Sequence, residues 1–278
     1  MKKIATLSFL AFFFFAGAVF VRAQETPAPK EKKSGWRSFF SRDKERTSIK
    51  KKGGWFSGGA EKAPIQENLI DLIDTPTTRI LGYGSYRANF RFYRDGGLLN
   101  HLSFGVFNRF NLGVSWDVEK FIGVEDPGTN VPTLYFKVRA YDGGPMLPSV
   151  ALGYDGQGRF FNKSTDQYRE REKGLFVVLG KELIHNFESR VGMSVSKFNN
   201  SEGSEGKISG FVGASYSMDE KFYLMMEYDN LRSAPGNRLN VGFRVLPISS
   251  FAVDFAVRNL MDSSERERIV RLNYVGSF

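Results

Sequence analysis

From Gly82 to the C-terminal Phe278, apolar and polar residues alternate with a period of two, segment after segment. Successive side chains of a strand point to opposite faces, so this period demands a sheet with two chemically distinct surfaces. Strands are predicted near Tyr83–Arg94, Leu98–Phe107, Asn111–Val118, Thr133–Tyr141, Ser149–Asp155 and Gly174–Glu182. Six more are predicted near Glu188–Phe198, Lys207–Ser217, Phe222–Asp229, Arg238–Val245, Phe251–Arg258 and Glu267–Phe278, about twelve in all. One face is apolar, as in Tyr86, Ala88, Phe90 and Phe92, or Phe251, Val253, Phe255 and Val257. The other is polar or small, as in Arg87, Asn89 and Arg91, or Asp254 and Arg258.

A soluble sandwich has the same period, so alternation alone does not place the sheet in lipid. Connection lengths add to it. Short ones at Asn108–Phe110, Asp142–Pro148, Leu183–Phe187, Met218–Lys221 and Leu246–Ser250 alternate with longer ones such as Glu119–Pro132 and Gly156–Lys173. Only the first hairpin, at Asp95-Gly96-Gly97, is short on the long side. Short turns at one end and long loops at the other mark an even-stranded transmembrane barrel with both chain ends in the periplasm. The 27 Phe and 11 Tyr, many near strand ends, suit interfacial aromatic girdles.

The N-terminus reads as an export signal over residues 1–23: Lys2 and Lys3, an apolar run from Ile4 to Val21, then Val21-Arg22-Ala23 with cleavage before Gln24. An uncleaved anchor is the competing reading of the same run. With no cysteine, the chain has neither disulfides nor the lipid-modified residue of a lipoprotein, so the reading is of an exported barrel without an N-terminal lipid. The net charge of +9 belongs to the N-terminal end: Lys2, Lys3 and Arg22 add three, residues 24–65 hold eleven Lys/Arg against five Asp/Glu, and Gln66–Phe278 is neutral at 25 against 25. The basic balance therefore describes a tail, which argues against a nucleic-acid partner.

Residues 24–65 are rich in Lys, Gly, Ser and Pro, and are expected to form a disordered periplasmic extension. It carries two Gly-Trp islands, with Trp36, Phe39 and Phe40 in one and Trp55 and Phe56 in the other. These are candidates to bind a periplasmic or cell-wall partner, or to cling to the barrel rim as a spacer. Residues 66–81 form a junction in which Leu69, Ile70, Leu72 and Ile73 suit a turn or two of helix before Thr75-Pro76. A short plug and a rim-packing segment are equally compatible with them.

The last strand ends in Phe278 with Val270, Leu272 and Tyr274 on one face. This resembles the signal by which bacterial outer-membrane proteins meet their barrel-assembly machinery, and implies outer-membrane lipid as the surroundings. The run Asn68-Leu69-Ile70-Asp71-Leu72-Ile73-Asp74-Thr75-Pro76-Thr77-Thr78-Arg79, followed by Tyr83-Gly84-Ser85-Tyr86, resembles the opening of exopolysaccharide-associated barrels of the YjbH-like group. That resemblance implies a role in polysaccharide secretion, although the chain is shorter than a full member and lacks the lipoprotein cysteine.

No metal-ligand spacing, phosphate loop or cofactor motif is present, and no catalytic residue is assigned. His101 and Ser103, two apart on one strand, have the spacing of outer-membrane phospholipases, but Leu102, Phe104 and Val106 claim the lipid face. His185 falls in a short turn. Alternation places Arg87, Arg91, Lys137, Arg139, Arg190, Arg238, Arg244, Arg258 and Arg271 in the lumen, against Asp117, Glu227, Asp229 and Asp254. An open arginine-lined lumen would prefer anions, whether a small solute or a polysaccharide. A narrow twelve-stranded barrel could equally be sealed by arginine–carboxylate pairs. The expected function is non-enzymatic passage or envelope assembly, with anchoring of the extension as the alternative.

Overall fold

The structure, a computed structural model, describes residues 69–162, 167–170, 173–196, 207–219, 221–231 and 237–278. The expected signal and extension, including Trp36, Phe39, Phe40, Trp55 and Phe56, lie outside the described residues.

Twelve long strands form the barrel among the described residues. They are β1 Ser85–Tyr93, β2 Gly97–Phe107, β3 Phe110–Glu119, β4 Thr133–Tyr141, β5 Ser149–Asp155 and β6 Gly174–Ile184. They continue as β7 Phe187–Ser196, β8 Lys207–Met218, β9 Phe222–Leu231, β10 Arg238–Ile248, β11 Phe251–Arg258 and β12 Glu267–Ser277. Each pairs antiparallel with its sequence neighbours, and β1 closes the circle on β12 in a register running from Ser85↔Ser277 to Phe92↔Val270. Closure leaves no unpaired edge, as a sheet in hydrocarbon requires. The predicted all-β antiparallel barrel of about twelve strands is the observed fold.

The end where β1 begins and β12 finishes is called here the terminal end, and the opposite one the loop end. Terminal-end turns are tight: His185–Asn186 joins β6 to β7 with Asn186 at φ 66°, and Asp219 between β8 and β9 is at φ 54°. Asn and Asp tolerate this left-handed region better than other side chains. At the loop end, the connection after β3 folds back, pairing Gly128–Thr129 with Val118–Glu119. Its Ile122 N–H donates to Gly96 O (3.0 Å) over the short β1–β2 hairpin. Arg159–Asn162 and Gln167–Glu170, both in the β5–β6 connection, form a separate two-stranded ribbon.

The barrel is inside-out relative to a soluble protein. Leu134, Leu152, Met193, Leu224, Phe243, Phe255 and Val270 are exposed on the outer face, while Arg87, Lys137, Arg244, Glu227 and Asn273 are buried within. Neighbouring strands carry an outer stack of Phe222, Phe243 and Phe255, with centroids 5.7 and 5.2 Å apart. Exposing such a band to water would be costly, whereas lipid accepts it.

Candidate functional site

The interior is occupied by the chain's own segment Leu69–Leu81. Where the sequence suggested helical turns, the segment instead doubles back as a tight hairpin, with Asp71 bridged antiparallel to Pro76. Leu72 N–H donates to Thr75 O (3.0 Å) and Thr77 N–H to Ile70 O (3.0 Å). The physical reason is that barrel side chains take the backbone groups a helix would use internally. Glu227 on β9 accepts from the N–H groups of Ile73 (3.2 Å), Asp74 (2.8 Å) and Thr75 (3.0 Å), and from the Thr75 hydroxyl (2.7 Å). Lys137 on β4 donates to Ile70 O (2.9 Å) and Arg79 O (3.0 Å). Arg271 on β12 donates to Ile73 O (3.1 Å) and to Leu72 O.

The hairpin enters from the terminal end. Leu69 packs with Tyr223, Leu246 and Ala252 near the β8–β9 and β10–β11 turns, and Leu72 and Ile73 pack deeper, against Met225, Ala256 and Ile269. Thr78 returns to the terminal end, where its hydroxyl lies 2.7 Å from that of Ser149, and Arg79 pairs with Glu188 at 2.7 Å. Inward glycines make room. A Cβ on Gly213 would lie 2.6 Å from Leu72 Cδ1, and one on Gly105 would lie 1.8 Å from Gly82 O, a backbone collision. Wall and segment are thus fitted to each other, and the segment is called the plug below.

The plug brings two carboxylates to the arginines. Asp71 accepts from Arg87 at 2.6 Å, and Arg87 also donates to Asn273 (2.8 Å). Asp74 lies among Arg91, Arg258 and Arg159, the last at 3.7 Å. Burial pushes both acids upward, but Arg87 and Lys137 beside Asp71, and Arg258 and Arg91 beside Asp74, outweigh it and hold both below the usual 3.8. A depressed carboxylate stabilises docking above its undocked pKa, and that contribution is lost as pH falls through the docked value. The contribution of these two carboxylates to plug seating should therefore be complete at neutral pH and fall away only below 3.8. Conductance of the reconstituted barrel across this range checks it: a rise in acid is expected, and a rise on going alkaline contradicts it.

Most of the sequence-nominated lumen residues are buried. Arg244 (Nε to Oδ1 2.6 Å, Nη2 to Oδ2 2.8 Å) and Arg271 (Nε to Oδ2 2.6 Å) converge on Asp254. Arg190 donates to the Ser215 hydroxyl (3.0 Å) and pairs with Glu188 at 3.5 Å. Asp117 accepts from the Tyr93 hydroxyl (2.6 Å), and Asp229 pairs with Lys173. Arg139, half-exposed at the terminal mouth, pairs with Asp142 at 3.0 Å beside a cleft of about 360 Å³ that Arg79 and Lys181 also line. Arg238 sits at the start of β10, opposite Asp229. Asp71, Asp74, Glu188 and Glu267 are further interior acids that the alternation reading left out. Arg159 and Lys173 were missed because they stand in the β5–β6 connection rather than in a barrel strand.

His101 and Ser103 share the inner face with Arg87 and Asn89, their cross-strand neighbours. His101 stands edge-on to Tyr135 at 4.6 Å between centroids, and neither His101 Nε2 nor Ser103 Oγ finds a hydrogen-bond partner, so the two form no dyad. On the outer face of the last strand lie Val270, Leu272 and Tyr274, and Phe278 stacks on Tyr86 at 6.3 Å. Among the described residues no group of His, Asp or Glu is arranged to hold a metal.

No protein-family model and no curated protein matches the sequence, so the YjbH-like resemblance finds no family match. Among solved structures, the chain is similar to a KdgM porin, at 12% identity and TM-score 0.45, over 69% of this chain and 99% of that one. It is similar to a NanC porin at 9% identity and TM-score 0.39, over 69% of this chain and 99% of the other. A third likeness is to Omp33 of Acinetobacter baumannii, at 12% identity and TM-score 0.34, over 72% of this chain and 100% of that protein.

Proposed function

We propose that this is a non-enzymatic outer-membrane barrel that passes anionic solutes, and that residues 69–81 close it until they are displaced. The observation that carries this reading is the pairing of the plug's carboxylates with wall arginines, Asp71 with Arg87 and Asp74 with Arg91 and Arg258. A plug held by charge leaves cations facing the lumen once it moves, and basic side chains in a narrow passage favour anions. The apolar outer band supports placement in lipid, with the terminal end facing the periplasm and the long connections outside.

The double substitution Asp71→Asn/Asp74→Asn tests it. Seating the neutralised plug leaves the buried guanidiniums of Arg87 and Arg91 without their carboxylate partners, which costs about 3–5 kcal/mol per broken pair. Single-channel conductance should rise from near silence to steady openings, and the reversal potential in a salt gradient should report chloride preference. A silent or cation-preferring double variant would refute the reading.

A further inference from the structure

We propose that Arg91, Arg159 and Arg258 form a carboxylate-binding site at the loop end of the lumen, and that Asp74 is its resident competitor. This rests on the plug reading above and adds a ligand class and a release mechanism to it. The two oxygens of Asp74 are served separately: Arg91 donates to Oδ1, while Arg258 (2.5 Å) and Arg159 (3.7 Å) face Oδ2. A planar group with two oxygens satisfies that arrangement. The three guanidiniums are held in place by other partners as well. Arg91 donates to Ile73 O (2.8 Å), Arg258 pairs with Glu267, and Arg159 reaches Glu267 at 3.6 Å and lies over the Tyr93 ring at 5.9 Å. Arg258 and Arg159 are therefore organised independently of the plug, in the manner of a preformed binding site, while Arg91 exchanges its plug partners for the ligand.

Its position suits a ligand arriving from the loop end. Arg258 is the last residue of β11, Arg91 lies two residues before the end of β1, and Arg159 belongs to the ribbon of the β5–β6 connection. Asp74 reaches the same spot at the tip of the plug, from below. A solute carboxylate entering from the loop end would replace Asp74 on these arginines and remove the Asp74 ion pairs that help hold the plug. Solute binding and plug release are then the same exchange of partners. As a tethered group, Asp74 competes at an effective concentration on the order of millimolar or more, which keeps the site occupied when no ligand is present.

Equilibrium titration of sodium glucuronate into the full-length barrel in detergent micelles tests this, with folding verified by heat-modifiable gel mobility. Glucuronate should bind Asp74→Ala at least about tenfold more tightly than the unaltered protein, because the tethered competitor is gone. Adding Arg159→Ala, which lies outside the barrel wall, should abolish that gain, and neutral glucose should not bind. Should Asp74→Ala fail to fold, Asp74→Asn removes the charge at nearly constant shape and should show the same order of affinities. Equal affinity with and without Asp74, or tighter binding of inorganic phosphate than of glucuronate, would overturn the proposal. A barrel that opens on neutralising both plug aspartates yet binds no glucuronate keeps the passage reading and loses this one. Glucuronate binding by a barrel that never conducts gives the reverse.

Discussion

Glu227→Ala is expected to raise the open population of the barrel by about two orders of magnitude. Glu227 accepts four hydrogen bonds from the plug tip, from the N–H groups of Ile73, Asp74 and Thr75 and from the Thr75 hydroxyl, and a fifth from Asn240 (2.7 Å). Hydrogen bonds to a charged acceptor contribute about 1.5–3 kcal/mol each where buried. Much of that is recovered by water once the plug leaves, so we take a net of about 3 kcal/mol, roughly a hundredfold. Glu227→Gln keeps the shape and one carbonyl acceptor and should fall between the two. Conductance of the three proteins in a planar bilayer checks the order. An alanine variant as silent as the parent would mean that Glu227 does not hold the plug.

The second large effect is on stability. Asp254→Ala should destabilise the folded barrel by about 3–5 kcal/mol, because it strands two buried guanidiniums in the wall. Arg244, Asp254 and Arg271 stand on three adjacent strands, β10, β11 and β12, with cross-strand partners Arg244↔Asp254 and Asp254↔Arg271. The side chains of Arg244 and Asp254 are 0% and 2% exposed, so solvent screens the pair little. Replacing all three by apolar residues of similar volume should recover most of the loss, since well-packed apolar groups often equal a buried ion pair. Urea unfolding followed by gel mobility separates the cases. If Asp254→Ala unfolds with its parent, the triad does not brace the wall.

The barrel was legible in the sequence because its information is periodic. Residues such as Arg87, Asn89 and Arg91 need only a parity to be placed inside, and a one-residue slip would have turned them to lipid. The segment was legible only as a junction with helical turns, a short plug and rim packing left open, because Leu69–Leu81 has no period and its hairpin is shaped by partners far away in sequence, Glu227 and Lys137 above all. One signal was available. Met225, Ile269 and Val275 put apolar side chains on the face that carries Glu227 and Arg271, so each breaks the alternation. Met225 and Ile269 are apolar because Leu72 and Ile73 rest there, and Val275 packs with Ile70 and Leu81. An apolar residue on a lumen face marks something apolar inside. Arg159 had no such signal, since a residue in a long connection carries no face assignment.

Whether residues 69–81 close the lumen and move to open it can be read by tethering the plug to the wall. The chain contains no cysteine, so an introduced pair is unambiguous. The Cβ position of Gly213 lies 2.6 Å from Leu72 Cδ1, so the two positions face each other and Leu72→Cys/Gly213→Cys puts one thiol on the plug and one on the wall. Single-channel recording of this cysteine pair added to the Asp71→Asn/Asp74→Asn variant, oxidised and then reduced in the same bilayer, is the measurement. The account predicts a silent oxidised barrel that gains anion-selective openings on reduction and falls silent on reoxidation. Equal conductance in both states, with the crosslink verified, would contradict it.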